Sequence, residues 1–343
     1  MYGKAFAPEY RGSLGGLSVN ASLEEVLETA LTRRREAELQ GAALESAHAG
    51  LAVAEACRRL GRVAEAEAAW KASYRAARRA GDRGAMAWAV WSGGTLARQR
   101  GALALAWRWL SLAAELAERG GDVVARGYSL AGLAETGRIQ GDYQAVGELH
   151  EKLLAEARRR GEARHTVWAL EGIAQMHRNT GSYDTALAMF EEAAAIAGGA
   201  DDARGRAWAL RGIADVLSVR GETGRALALL SEAEATCREM RLVSALAYNH
   251  KMRGNVFFRA GRYAEAEACY SGALEEFRAM DEPRGAALAR LGWVKARARL
   301  GRDTAETAAD LDELHRTLGG IGLLHARDMV DKARAELGVL AAG

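Results

Sequence analysis

From Arg204 to Leu230 the chain reads RGRAWALRGIADVLSVRGETGRALALL. Leu210, Ile213, Ala214 and Leu217 recur at the three- and four-residue spacing that lines up apolar side chains on one face of a helix. Gly221 interrupts the pattern, which resumes within a few residues, so the stretch is predicted to form a helical hairpin. Trp208 lies off this apolar stripe. At about 100° per residue it shares a face with Arg211, Asp215 and Ser218, roughly opposite the Leu210 stripe. The first helix therefore uses two faces, one against its partner helix and one against something else.

The hairpin recurs at a fixed interval. Gly61, Gly101, Gly141, Gly181, Gly221, Gly261 and Gly301 fall 40 residues apart, with no insertion between them. Before each glycine stands a small residue (Ala54, Gly94, Ala134, Ala174, Ala214 and Gly254, with Val294 the exception). After it, Ala66, Ala106, Ala186, Ala226 and Ala266 recur, while Val146 and Glu306 depart. Small residues on facing helices let backbones approach. A large side chain one turn further on fills the space beyond: Trp70, Leu110, Phe190, Leu230 and Tyr270, with His150 and Asp310 less typical. A second boundary at Gly81, Gly120 and Gly161 separates successive hairpins, and Pro283 sits at a helix start where a missing N–H costs nothing. Self-similarity at such a period predicts a solenoid whose ends carry caps. SLEEVLETALTRRREAEL, from Ser22, opens with a capping-box pattern at Ser22 and Glu25, and IGLLHARDMVDKARAEL, from Ile321, supplies a last helix.

This small–Gly–Ala–aromatic arrangement resembles the tetratricopeptide repeat, whose unit is about 34 residues. The 40-residue form is similar to the long-helix variety of spindle-orientation adaptors, bacterial peptide-sensing regulators and the sensor ends of large transcription activators. Two features depart from the family pattern. Val90, Leu130, Leu170 and Leu210 replace a tryptophan early in the first helix, and the proline closing the second helix is missing. The resemblance implies an all-α, right-handed α-solenoid with four parts. These are a mostly flexible arm over 1–21, a capping helix over 22–40, seven repeats over 41–320 and a C-terminal capping helix over 321–343. Tyr2, Phe6 and Tyr10 give the arm the means to dock on the protein's own surface. The resemblance also implies that the first helix of each pair lines the concave, ligand-facing side, which assigns the Trp208 stripe to that side.

Taken at 40-residue steps, that stripe becomes a ladder of Trp88, Tyr128, Trp168, Trp208 and Tyr248, flanked by His48 and Leu288. The next column holds Trp91, Ala131, Glu171, Arg211, Lys251 and Leu291, and the one below it Thr95, Glu135, Gln175, Asp215, Asn255 and Lys295. Deepest come Arg58, Arg98, Arg138 and Arg178, after which the column changes to Ser218, Phe258 and Ala298. Two interpretations stay open. The aromatics can simply wedge between successive first helices, and the arginines can complement helix C-terminal dipoles. Charge that varies from repeat to repeat in the middle columns is not demanded by packing, and aromatic and arginine side chains are usual anchors of binding surfaces. The expected ligand-binding groove therefore comprises Trp88, Trp91, Tyr128, Glu135, Trp168, Glu171 and Gln175, continuing through Arg178, Trp208, Arg211, Asp215, Tyr248, Lys251 and Asn255. By resemblance to chaperone-binding members, Lys251 and Asn255 occupy two places that grip a terminal carboxylate, but Gly292 stands where that clamp needs asparagine.

Composition narrows the partner. Of 343 residues 49% are hydrophobic and 27% charged, the balance of a folded soluble chain, and only two are proline. The formal charge of +2 offers no bulk attraction to nucleic acid or anionic lipid, and the arginine-rich stretch around Arg75, Arg78, Arg79 and Arg83 suits a solvated helix face. Cys57, Cys237 and Cys269 show no CxxC spacing, so neither a disulfide framework nor a zinc site is indicated. No apolar run reaches membrane-spanning length and the N-terminus lacks a signal-peptide core, which makes the cytoplasm the expected location.

No phosphate-binding, zincin or nucleophile-elbow motif occurs, and the seven histidines include no pair spaced one turn apart. His177 and His250 are expected in apolar core columns. No cofactor, metal or catalytic residue is assigned. Glu171 and Glu135, on adjacent repeats beside Arg178 and Arg211, keep acid–base chemistry conceivable. Two functions follow. One is a non-catalytic scaffold binding a peptide or protein segment in the groove. The alternative is an enzyme or accessory factor of a bacterial biosynthetic pathway that holds a small molecule there, favoured if the arm or the end repeats close the pocket over.

Overall fold

A computed structural model describes residues 2–141, 143–301, 304–320 and 323–338. Helix α1 (Leu23–Leu39) leads, with Ser22 as its N-cap accepting from the Glu25 N–H. Four antiparallel hairpins follow: α2 (Ala43–Arg59) with α3 (Val63–Ala80), α4 (Arg83–Gln99) with α5 (Leu103–Gly120), α6 (Val123–Gln140) with α7 (Tyr143–Arg160), and α8 (Ala163–Asn179) with α9 (Tyr183–Gly199). Three more complete the series: α10 (Ala203–Val219) with α11 (Thr223–Glu239), α12 (Val243–Arg259) with α13 (Tyr263–Ala279), and α14 (Pro283–Arg299) with α15 (Thr304–Gly320). Helix α16 (Leu324–Leu337) ends the array, and no strand occurs among the described residues. Of the expected C-terminal cap, Ile321, Gly322 and 339–343 lie outside the described residues.

The 40-residue clock has a direct backbone cause. Inside every hairpin whose turn is described, the turn glycine is left-handed, as at Gly61 (φ 75°) and Gly221 (φ 80°). Between hairpins the same conformation recurs. Glycine supplies it at 41, 81, 121 and 161, but Asp201 (φ 57°), Arg241 (φ 55°) and Asp281 (φ 50°) supply it afterwards. For a residue with a Cβ this conformation costs about 1–2 kcal/mol.

Packing follows the large-on-small pattern. Trp70, Leu110, Phe190, Leu230 and Tyr270 are all buried. A Cβ added to Gly212 would stand 2.4 Å from Phe190 Cδ1, so the ring occupies the space a side chain would need. His150 fills the same column with both ring nitrogens unpartnered, and burial pushes it down to about 4, so it is neutral in the core. His250 departs from expectation. Its Nδ1 lies 2.9 Å from both Glu276 oxygens, so it belongs to a polar cluster rather than an apolar column.

The superhelix also meets itself. Met280 lies against the Gly61 turn, and Arg100 pairs with Asp281 at 3.0 Å. Leu103 and Ile139 share a hydrophobic cluster with Leu291, Leu314 and Leu323, while Leu23 of α1 packs with Cys237, Met240 and Leu242. The N-terminal segment spans the remaining gap. Ala5 N–H donates to Ala200 O (2.7 Å), Asn20 Nδ2 to Asp201 O (2.8 Å), and Ala203 N–H to Asn20 Oδ1 (3.0 Å). Ala7, Tyr10 and Leu14 are buried, whereas Phe6 stays exposed. Early hairpins thus touch late ones around a central hollow.

Candidate ligand cavity

The hollow is a cavity of about 740 Å³ lined mainly by the first helix of successive hairpins, with Glu9 of the N-terminal segment and Ala326 and Met329 of α16 adding to the wall. Thirteen of the expected groove residues reach it. Trp91 and Tyr128 contribute edges, being 5% and 4% exposed, while Trp168, Trp208 and Tyr248 are half-buried and present more surface. Glu135, Glu171, Gln175, Arg178, Arg211, Asp215, Lys251 and Asn255 line it beside them.

Trp88 corrects the expectation. It is fully buried, donates from Nε1 to Asp122 Oδ2 at 3.0 Å, and meets Trp91 edge-on at 5.2 Å between ring centres. Tyr128 lies 5.4 Å from both Trp88 and Trp168. The early rungs of the ladder therefore wedge between first helices, as packing alone would have them, and the later rungs open onto the hollow. The physical difference lies in the neighbours. The N-terminal segment brings Arg11 over the Trp88 ring at 5.1 Å and so covers that end.

The arginine column does more than complement helix ends. Arg138 grips Glu135 in its own helix with two bonds of 2.7 and 2.6 Å, and Arg98 approaches the same carboxylate at 3.8 Å from the preceding repeat. Arg178 pairs with Asp215 of the next repeat, which also takes Arg259 at 2.7 Å. Burial alone would raise the Asp215 carboxyl, but Arg178 and Arg259 hold it below the usual range.

Glu171 lacks such support. Its Oε1 is buried and unpartnered, and burial pushes the carboxyl up to about 8 against the pull of Arg211. Burial likewise brings Lys251 down to about 8, opposed by Asp215. The carboxylate clamp is not assembled. Asn255 Oδ1 accepts from Tyr270 at 2.8 Å, and the Tyr270 ring fills the space beside Gly292 where a side chain would have to stand. His165 is buried behind the aromatic wall, 4.9 Å from Tyr128, where burial pushes it down to about 3.

Sequence reasoning missed a further column. Arg164, Arg204, Ser244 and Arg284 stand one turn before Trp168, Trp208, Tyr248 and Leu288, and all four line the cavity. The same 40-residue step that revealed the aromatics carries this signal. The contribution of Glu9 had no such cue. It enters from the N-terminal segment and binds Arg59 at 2.5 Å. Burial would raise its carboxyl, yet Arg59, Arg164 and Arg204 together bring it down to about 2.

Summed over its described lining, the cavity holds twelve arginine and lysine side chains against seven carboxylates. That surplus exceeds the +2 of the whole chain, so positive charge is concentrated inside. Among the described residues no cluster of His, Cys, Asp and Glu is placed to hold a metal ion, and no helix is long and apolar enough to cross a membrane.

Residues 165–239 match the family model described as tetratricopeptide repeat. No curated protein matches the chain. NprR in complex with its cognate peptide NprX is similar in structure, with a TM-score of 0.61 and 13% identity over 92% of this chain and 95% of that one. The Rap conjugation gene regulator of plasmid pLS20, in complex with the Phr* peptide, has a TM-score of 0.61 and 13% identity, covering 87% of this chain and 78% of its own. A Rap protein complexed with Competence and Sporulation Factor has a TM-score of 0.54 and 13% identity, over 86% and 99%. At such identity the likeness concerns the fold. The matched segment, residues 165–239, is thus tetratricopeptide repeat in sequence, and it spans nearly two of the 40-residue periods that run from α2 to α15.

Proposed function

We propose that this chain is a non-catalytic cytoplasmic receptor that encloses a short, acidic peptide in its central cavity. The carrying observation is the cavity itself, ringed by half-exposed aromatics and charged opposite to such a ligand. Its volume of about 740 Å³ falls in the range of small-ligand pockets, ~300–1,000 Å³, which suits a few residues of extended peptide and not a docked helix or domain. Aromatic anchors with a few placed charges give such a pocket both affinity and orientation. NprR and the pLS20 Rap regulator, similar in fold, carry the peptides NprX and Phr* in their structures. Three free cysteines accord with a reducing compartment.

Affinity selection from native lysate tests this reading, with mass spectrometry covering both peptides and small molecules. The wild-type chain is expected to retain short peptides, and the double variant Trp168→Ala/Trp208→Ala to lose them with unchanged helicity. Retention that survives the double substitution removes the site.

Two observations favour a second reading, a small-molecule enzyme or accessory factor. The N-terminal segment and the late hairpins close the cavity over, as that reading expects, and Glu171 is placed for proton transfer. Glu171 is a buried carboxyl with a free oxygen at the cavity wall, held protonated at neutral pH as a general acid must be. Small molecules recovered in place of peptides would select it.

A further inference from the structure

One end of the cavity holds a buried guanidinium that no carboxylate touches, Glu9 and Asp202 acting on it only at longer range. Arg204, in the first turn of α10, is 6% exposed and makes no hydrogen bond or ion pair; its guanidinium rests over the Trp208 ring at 5.4 Å. Arg164, one repeat earlier and 8% exposed, binds Asp202 through Nε and Nη2, each at 3.0 Å. Its Nη1 is buried without a partner. From the facing wall Arg58 and Arg59 share Glu55, and Arg59 also holds Glu9. Four guanidiniums thus stand against three carboxylates, Glu9, Glu55 and Asp202, and the one with no direct partner is Arg204.

An unpaired buried charge is costly, and a ring face offsets only part of that cost. Glycine, alanine or leucine at this position would fold without the burden. The arrangement makes sense if the missing partner arrives from outside. Guanidinium groups present forked donors that match an oxyanion in two-point contact. The chain already seats one carboxylate here, that of Glu9, so this end of the cavity accommodates the group.

We infer that Arg204 and the free Nη1 of Arg164 form an anion subsite that takes a carboxylate of the cavity's ligand. The inference rests on the receptor reading above and adds the chemistry of one anchor. A peptide satisfies it with its C-terminal carboxylate or with an acidic side chain placed at that end.

Thermal unfolding of the full-length chain tests it, with glutarate as the carboxylate probe, glutaramide as the neutral control and inorganic phosphate as the competing oxyanion, all at constant ionic strength. Glutarate is expected to raise the wild-type Tm saturably and glutaramide to leave it unchanged. Arg204→Met is expected to unfold at the same or a higher temperature without ligand, because it removes a buried unpaired charge, while its apparent affinity for glutarate falls about tenfold or more. Arg204→Lys keeps the charge, loses the fork and falls between the two. Arg206→Met, at an exposed neighbour paired with Glu232, keeps the wild-type response. No glutarate response in the wild type, an equal response in Arg204→Met, or a response to phosphate alone each overturns the assignment. Peptides retained equally by wild type and Arg204→Met remove the subsite and leave the peptide receptor standing. A glutarate response lost in Arg204→Met, with no peptide ever captured, does the reverse.

Discussion

The carboxylate of Asp281 lies 3.0 Å from the guanidinium of Arg100 and joins the turn before the seventh hairpin to the turn of the second. Asp281 occupies a left-handed backbone position to do so (φ 50°), as Asp201 does where Asn20 binds it. Among the described residues, two of the three non-glycine residues in this conformation therefore sit where distant parts of the array meet. Arg241, the third, has no side-chain hydrogen bond or ion pair.

The two kinds of position separate by substitution. Arg241→Gly is expected to stabilise the protein by about 1 kcal/mol, since it relieves the left-handed penalty and gives up no bond. Asp281→Gly gains the same relief but loses an ion pair whose side chains are 43% and 67% exposed, worth about 0–1 kcal/mol, so its net change is smaller. Paired thermal melts measure both, and a destabilised Arg241→Gly would contradict the strain argument.

Gly212→Ala is expected to cost about 1–3 kcal/mol, because its Cβ would overlap the Phe190 ring in a close-packed layer. Adding Phe190→Leu should recover part of the loss, and a double-mutant cycle in urea reads the coupling. Additive losses would show that ring and glycine do not share one space.

Removal of residues 1–21 uncovers Tyr10 and Leu14 contacts and should cost about 3 kcal/mol or more at ~1.5–3 kcal/mol per large buried side chain. The same truncation takes Glu9 out of the cavity and Arg11 off the Trp88 ring. Acrylamide should then quench tryptophan fluorescence more strongly, Trp88 having lost its cover. Quenching identical to the full chain would show that the segment does not shield that wall.

Glu171 sets a pH dependence with a definite sign. Its folded-state value, about 8, stands above the 4.5 of an unperturbed glutamate, so the native state binds more protons between those values. Stability contributed by this group is present below 4.5 and is lost as pH rises through 8. Glu171→Gln, uncharged throughout, should raise the Tm at pH 8.5 and change it little at pH 4.5. An equal shift at both values would mean that the carboxyl is not held protonated in the cavity.

Much of this architecture could be read from the residues. Period, turn glycines, the Phe190 column and the Trp168–Trp208 face are local properties of a hairpin repeated without slippage, and each survives folding unchanged. What escaped depends on how far the array curves. Nothing in the helical pattern says that Met280 will reach Gly61, or that Glu9 will arrive beside Arg59, because curvature accumulates from small rotations between hairpins. The burial of Trp88 escaped for the same reason. It shares a column with Trp208, but Trp91, the Asp122 carboxylate and the N-terminal segment laid across it give it a different environment.

Closure also changes how the molecule should come apart. An open repeat array behaves as a one-dimensional chain, in which losing an end unit subtracts one unit and one interface. Here an end hairpin takes part in a second set of contacts across the seam, through Asp281, Leu291 and Leu323. Shortening the array by a single repeat at either end breaks a loop rather than trimming a rod. Unfolding is then all-or-none over a length at which linear arrays of this kind begin to fray.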